Sequence, residues 1–205
     1  MRKCRREHRI KFSIIIPAYN AEKHIWAALE SVKRQSYTDY ELIVVCDACE
    51  DGTEEIARKY TDKVFSVNYH NEGMARNTGL DHASGDWVLW IDDDDYWLHE
   101  FVLQQISEQL TDRLDVLCFG FVFKGVGYAP PKGKGKHWIA IWNKCYRRTF
   151  IDGIRFGKEF PCDIAWTNKV LQKFPALRNW DMPIYYYEYM RPGSATWKMH
   201  KGEIP

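Results

Sequence analysis

Apolar and polar positions alternate between two periods along this chain. The run Phe12-Ser-Ile-Ile-Ile-Pro17 reads as a buried strand closed by a proline that cannot continue a ladder. Asn20 suits a helix N-cap, and Ile25, Ala28, Leu29 and Val32 recur at helical spacing, which predicts an amphipathic helix from Ala21 to about Gln35. The same logic predicts a strand over Leu42 to Cys46, a helix over Thr53 to Tyr60 and a strand over Val64 to Val67. A helix over Gly73 to His82, a strand over Trp87 to Ile91 and a helix over Leu98 to Leu110 follow. Strand and helix alternating this regularly imply an α/β chain with a Rossmann-like, mostly parallel sheet flanked by helices. In such sheets ligands bind beyond the carboxyl ends of the strands, which is where Tyr19, Asp47 and the run Asp92 to Asp95 fall.

The second half reads differently. Asp115 to Phe123 is a strand candidate, and Lys124 to Lys136, rich in glycine, proline and lysine, is a loop that suits either a lid or a plain surface excursion. Trp138 to Tyr146 resumes apolar order, Asp163 to Phe174 reads as a helix and Pro183 to Tyr189 as an aromatic strand. With no internal repeat and no long linker, 205 residues fit one domain spanning 12–200, with a first half, 12–97, and a second half, 98–200, that adds a smaller subregion to the sheet.

Composition narrows the function classes. Hydrophobic residues make up 45% and charged residues 28%, a globular balance, and 9 Trp, 12 Tyr and 10 Phe supply rings for a core and for clefts that take flat or sugar-like ligands. A formal net charge of +1 argues against a nucleic-acid binder, although Arg2, Lys3, Arg5, Arg6, Arg9 and Lys11 make residues 1–11 a basic arm. That arm suits peripheral contact with anionic lipid or a plain soluble leader. No apolar run approaches the length of a membrane span or a signal-peptide core, so the expected location is cytoplasmic, with peripheral contact at the inner membrane face. Six scattered cysteines suit a reducing compartment; Cys46 and Cys49 form a lone C-x-x-C that reads as a redox pair or half of a zinc site, although no second pair and no nearby Cys/His ligand set completes it.

The four consecutive aspartates after Ile91 concentrate the candidate chemistry. On an extended segment Asp92 and Asp94 would share one face and Asp93 and Asp95 the other. Two carboxylates about 4 Å apart repel by roughly 4 kcal/mol near a protein surface, which a divalent cation converts to attraction. A solvated, cap-rich turn is the competing reading of the run.

These segments, Ser13-Ile-Ile-Ile-Pro-Ala-Tyr-Asn20, Glu41-Leu-Ile-Val-Val-Cys-Asp47, Asp51-Gly52-Thr53, Asn71-Glu-Gly-Met-Ala-Arg-Asn-Thr-Gly79, Gly85-Asp86 and Ile91-Asp-Asp-Asp-Asp-Tyr-Trp97, together resemble family 2 glycosyltransferases of the GT-A fold. Trp142-Asn-Lys-Cys-Tyr-Arg-Arg148, Cys162-Asp163 and Arg191-Pro-Gly-Ser194 extend the resemblance to about Phe12 to Ser194. It implies an inverting enzyme that moves a sugar from a nucleoside diphosphate, a UDP-sugar above all, to a saccharide or lipid-linked acceptor in surface polysaccharide or glycolipid synthesis, with Mn²⁺ or Mg²⁺. On that resemblance 12–97 binds the nucleotide sugar and 98–200 faces the acceptor.

The resemblance also assigns roles. Asp94 would bind the metal and Asp92 the metal or the ribose; Asp93 takes the variable position between them, in the donor site, and Asp95 orients the loop or touches the sugar. Pro17, Ala18, Tyr19 and Glu22 form the first nucleotide-binding turn, with Tyr19 stacking on a base or packing in the core. Asp47 accepts from the base N–H, and Arg76 faces the diphosphate or base unless it forms a surface ion pair. Asp163 is the catalytic base, or else a helix N-cap. Arg191 and Ser194 belong to the diphosphate end or a closing loop, and His200 to a frayed tail rather than a metal contact. Cys46 and Cys162 stand where the family carries acids, and the Gln-x-x-Arg-Trp signature of processive relatives is missing. A sugar nucleotidyltransferase or a weakly catalytic nucleotide-sugar-binding module are the competing functions.

Overall fold

The structure, a computed structural model, describes residues 9–131 and 140–203. Strand β1 (Phe12–Ala18) is followed by α1 (Ile25–Lys33), β2 (Tyr40–Asp47), α2 (Thr53–Arg58), β3 (Val64–Val67), α3 (Glu72–His82) and β4 (Trp87–Trp90). Then come β5 (Tyr96–Trp97), α4 (Val102–Gln109), β6 (Val116–Phe123), β7 (Gly127–Ala129) and β8 (Lys144–Arg147). The chain continues through α5 (Arg148–Ile151), α6 (Cys162–Gln172), β9 (Leu177–Tyr187) and α7 (Ala195–Lys201).

Among the described residues all nine strands join one sheet in the order β3-β2-β1-β4-β8-β6-β9-β5, with β7 paired on β6. The first four are mutually parallel, as the alternating pattern predicts. Beyond β4 the sheet is mixed: β8 runs antiparallel to both β4 and β6, while β6 and β9 are parallel. The chain steps outward from β1 to β2 to β3 and returns to β4 on the other side of β1. The crevice at their carboxyl ends is therefore a topological switch point, where ligand sites form in open α/β sheets.

β1 is buried on both faces, which is why it reads as an unbroken apolar run. α1 covers one face with Ile25, Ala28, Leu29 and Val32. α3 lies close against β1 because position 79 is glycine: a Cβ there would sit 2.3 Å from Ile15 Cγ2. At the opposite end of the sheet buried Glu41 accepts from Ser13 Oγ, Ser84 N, Gly85 N and Lys63 Nζ, tying β1, β2, β3 and the turn before β4 together.

Several expectations need correction. α1 begins at Ile25 rather than Ala21, because Asn20 takes a left-handed φ of 47° and spends its Oδ1 on Glu50 N instead of capping. β9 starts six residues before Pro183, where exposed Arg178, Asn179 and Asp181 hide the strand pattern. Inside the loop expected from Lys124, Gly127–Ala129 pairs with β6 as a hairpin; the rest of that loop, 132–136, lies outside the described residues. The tail expected to fray is helix α7, capped by Ser194 Oγ on Trp197 N and closed by Gly202 at φ 72°. Of the basic arm only residues 9–11 are described: Arg9 donates to Thr38 Oγ1 and lies 4.8 Å over the Tyr37 ring. Among the described residues no helix is long and apolar enough to cross a membrane.

Candidate active site

A cleft of about 500 Å³ opens at the switch point. Pro17, Ala18 and Tyr19 from the end of β1, Asp47 from β2, Asn71 and Glu72 at the start of α3, and Asp92, Asp93 and Asp94 after β4 line it, with Arg191, Ser194 and Lys198 closing one side. Tyr19 is 57% exposed, which removes core packing as its role and leaves its ring available for stacking.

The four aspartates do not form an extended segment. Asp95 N donates to Asp92 O at 3.1 Å, so the run is a tight turn, and the expected two-and-two split of faces does not occur. Asp92, Asp93 and Asp94 all reach the cleft, and Asp95 turns inward to full burial. There Asp95 accepts from Tyr185 OH at 2.6 Å and Glu188 N at 2.8 Å. The Tyr185 hydroxyl also accepts from Asp92 N at 3.2 Å, so one phenol on β9 pins both ends of the turn. Asp93 is more than a spacer: its Oδ2 accepts from Tyr19 N at 3.1 Å and its Oδ1 lies 3.4 Å from His24 Nε2.

Two arginines partly neutralise the turn. Arg76 is 2% exposed, not the surface ion pair that its helical position allowed, and holds Asp92 Oδ1 at 2.9 Å and Glu72 at 2.6 Å. Arg191 donates from Nε to Asp94 Oδ2 at 2.7 Å. Carboxylates still outnumber guanidinium groups. Burial pushes the Asp92 carboxyl up to about 7 against the pull of Arg76, and burial raises Asp94 and Asp95 as well.

Excess buried negative charge on hard oxygen donors fits a divalent cation. The arginines engage one oxygen of each carboxylate and leave Asp92 Oδ2 and Asp94 Oδ1 for it. Among the described residues no three His, Cys, Asp or Glu side chains group as a closed metal cage. The donor set therefore suits Mg²⁺ or Mn²⁺ held by one or two carboxylates and completed by substrate phosphate and water.

Asp47 is occupied by the backbone. Its carboxylate accepts from Tyr69 N at 2.6 Å, His70 N at 3.0 Å and Asn71 N at 2.7 Å. It thereby fixes the loop that enters α3, whose first turn Asn71 Oδ1 caps on Met74 N. Glu22 stays on the surface and outside the cleft lining, accepting from Gly52 N at 2.9 Å and so holding the loop after β2 to the turn after β1.

Asp163 lines an adjoining cleft of about 220 Å³ with Trp142, Tyr189 and His200; Glu72, Asp92, Phe160 and Tyr187 line both spaces, so the two share a wall. Pro161, not Asp163, is the N-cap of α6. Burial raises the proton affinity of Asp163 against the attraction of Arg76, with Glu72 reinforcing the rise. Cys162 keeps its thiol 3.1 Å from Arg76 Nη1. His200 packs edge-on against Tyr189 at 6.2 Å.

The structure thus gathers Pro17, Ala18, Tyr19, Asp47, Asp92, Asp93 and Asp94 in one cleft and Asp163 in the next, leaves Glu22 outside, and turns Arg76 toward Asp92. Sequence reasoning missed Tyr185 and Glu72. The Glu72–Arg76 spacing of four on a helix was a usable signal for the second; nothing local marks Tyr185.

A model of the family described as Glycosyl transferase family 2 matches residues 13–170. The chain is 33% identical over 199 residues to the Escherichia coli UDP-Glc:alpha-D-GlcNAc-diphosphoundecaprenol beta-1,3-glucosyltransferase WfaP, covering 90% of this chain and 79% of that protein. It is 39% identical over 128 residues to the Staphylococcus aureus poly(ribitol-phosphate) beta-N-acetylglucosaminyltransferase TarS, but spans only 22% of TarS, as it spans 26% of the Streptococcus pneumoniae glycosyltransferase GlyA. A crystal structure of S. aureus TarS 1-349 in complex with UDP-GlcNAc superposes with a TM-score of 0.77 at 27% identity, covering 92% of this chain and 61% of that one. The Pyrobaculum calidifontis mannosyltransferase PcManGT, in complex with GDP-Man and Mn²⁺, shares the fold with a TM-score of 0.75 at 17% identity, covering 96% and 62%. A switch-point cleft built on these strands, together with a family match over most of the chain, makes this protein a member of glycosyltransferase family 2 with the GT-A fold.

Proposed function

We propose that this chain transfers a sugar from a nucleoside diphosphate, a UDP-sugar by preference, to a hydroxyl of a saccharide or lipid-linked acceptor, with inversion at the sugar carbon. The observation that carries the reading is the adjacency of the two clefts: Asp163, a buried carboxyl of raised proton affinity, lines one cleft, and Asp92 lines both that cleft and the donor cleft. The UDP-sugar preference draws support from the names of WfaP and of the TarS complex. In this scheme 12–97 binds donor and 98–200 presents the acceptor.

Tyr19 stacks on the base, and Asp47 shapes the base pocket through the loop at Tyr69 to Asn71 while offering its last lone pair to a base N–H. Asp94 and Asp92 hold Mg²⁺ or Mn²⁺, which when bound neutralises charge on the leaving diphosphate. Arg191 moves between Asp94 and a diphosphate oxygen as that charge changes. Asp163 takes the proton of the acceptor hydroxyl as its oxygen bonds to the sugar carbon; the bond from that carbon to the diphosphate oxygen breaks, and its electron pair leaves with the nucleotide. With Asp163 acting as base and not as nucleophile, the acceptor oxygen displaces the diphosphate in one step, which inverts the sugar carbon.

The test is release of nucleoside diphosphate from a panel of UDP- and GDP-sugars with Mn²⁺, with EDTA, and in Asp94→Asn. Turnover that depends on the metal and falls at least 100-fold in the variant supports the reading. Equal turnover with EDTA, or in the variant, overturns the metal assignment. Donor binding without turnover on any acceptor favours a binding module, as the cysteines at positions 46 and 162 would suit.

A further inference from the structure

The C-x-x-C has a geometry that the glycosyl transfer does not use. Cys46 ends β2, paired in register with Ala18 of β1 and Ser66 of β3, and is 1% exposed. Cys49 is half-buried at the surface of the following loop. Ala48 between them takes a left-handed φ of 54°, which folds the loop back so that both cysteines converge on Ala18, Cys46 as its register partner and Cys49 through its thiol. Cys49 Sγ also donates to Ala18 O at 3.4 Å, so this thiol touches the strand end that floors the donor cleft. All five described cysteines are free, and Cys118, Cys145 and Cys162 are buried.

We propose that Cys46 and Cys49 are a thiol switch: a low-molecular-weight disulfide oxidises them to an intramolecular disulfide that weakens donor binding. Cys49 is the attacking group, because it is the more exposed and because its neighbour Cys46 favours its thiolate, while the nearby Cys49 and burial make Cys46 hold its own proton more tightly. The Cys49 thiolate bonds to one sulfur of the small disulfide and expels the other as a thiolate. Cys46 then attacks Cys49 Sγ and expels the second small thiolate, which carries away the Cys46 proton as a thiol. Two protein thiols are oxidised to one disulfide, and one small disulfide is reduced to two thiols.

A disulfide of about 2.05 Å is shorter than any hydrogen bond between sulfurs, so closing it shifts the loop. Three contacts carry the shift to the donor cleft. Cys49 stops donating to Ala18 O; Glu50 N is tied to Asn20 Oδ1 at 2.8 Å; and Asp47, lying between the two cysteines, anchors Tyr69 to Asn71. The effect on donor affinity rests on the donor-cleft reading above, whereas the cross-link does not.

The experiment treats the full chain with glutathione disulfide and maps peptides by mass spectrometry, then measures the UDP-dependent thermal shift of oxidised and dithiothreitol-reduced samples. The expected result is loss of two hydrogen masses on the peptide containing Cys46 and Cys49, reversed by dithiothreitol, and an apparent UDP affinity about tenfold weaker after oxidation, within the usual span for coupled sites. Cys46→Ser should stop at a glutathione adduct on Cys49, and Cys49→Ser should form neither adduct nor cross-link in this loop. A wild-type chain that carries a stable adduct on Cys49 without closing, or that closes with unchanged UDP affinity, overturns the switch. If neither redox form binds UDP while the cross-link still forms, the donor reading fails and the thiol chemistry stands by itself.

Discussion

Removing one hydroxyl, Tyr185→Phe, tests whether the aspartate turn is held from β9. Tyr185 is fully buried, with its ring stacked on Trp142 at 4.9 Å, so phenylalanine keeps the packing and deletes only the OH. Two hydrogen bonds go with it: the donor to the buried Asp95 carboxylate at 2.6 Å and the acceptor for Asp92 N at 3.2 Å. A buried hydrogen bond contributes about 1 kcal/mol, and deleting the hydroxyl also strands the buried Asp95 and Asp92 partners at a cost of the same order, so the loss is about 3 kcal/mol. For a chain of this size that lowers Tm by roughly 6–12 °C. The assay is thermal unfolding followed by circular dichroism, in parallel with the Mn²⁺ dependence of donor turnover, where the loosened turn should demand more metal. A double-mutant cycle with Asp95→Asn should give a coupling of at least about 1 kcal/mol. A Tm within 2 °C of wild type, or no coupling to Asp95, would refute the idea that this phenol sets the turn.

Two further substitutions probe the frame around the site. Gly79→Ala drives a methyl to 2.3 Å from Ile15 Cγ2 and should cost roughly 1–3 kcal/mol in urea unfolding, less when Ile15→Ala is already present; equal cost in both backgrounds would show that this contact is not the cause. Burial opposes ionisation of Glu41, but hydrogen bonds from Lys63, Ser13 and Ser84 outweigh it and hold its carboxyl at about 2, against an ordinary 4.5. A lowered folded value means that the stabilisation is complete above pH 4.5 and fades as pH falls to 2. It amounts to roughly 3 kcal/mol, from a shift of about 2.5 units. The acid limb of Tm against pH should therefore be shallower in Glu41→Gln, and superimposable limbs would contradict this.

Much of 12–97 was legible in the chain because each signal there is local. Unbroken apolar runs at Phe12 and Leu42 mark strands buried on both faces, and Asn71 precedes its helix at a capping position. What escaped depends on partners far away in sequence. Asp95 looks like its three neighbours until Tyr185, ninety residues on, arrives to hold it. Asp47 is legible as a cleft residue, but its second task, anchoring the loop at Tyr69 to Asn71, is not, because those partners lie more than twenty residues on. The start of α1 was misplaced because Asn20 has two local options, cap or left-handed turn, and Glu50, thirty residues away, selects the second. β8, lodged antiparallel between β4 and β6, carries no local trace of its direction in its four residues.

The central claim, that Asp163 acts on the acceptor while the aspartate turn holds the donor, separates most directly in Asp163→Asn. UDP affinity with Mn²⁺, measured by calorimetry, and turnover with a working donor and acceptor are compared with wild type. The account predicts an unchanged UDP Kd and a fall in kcat of roughly 10²–10⁴, the contribution of a positioned base. Turnover within a few fold of wild type, or a loss of activity explained by lost UDP binding, would contradict it.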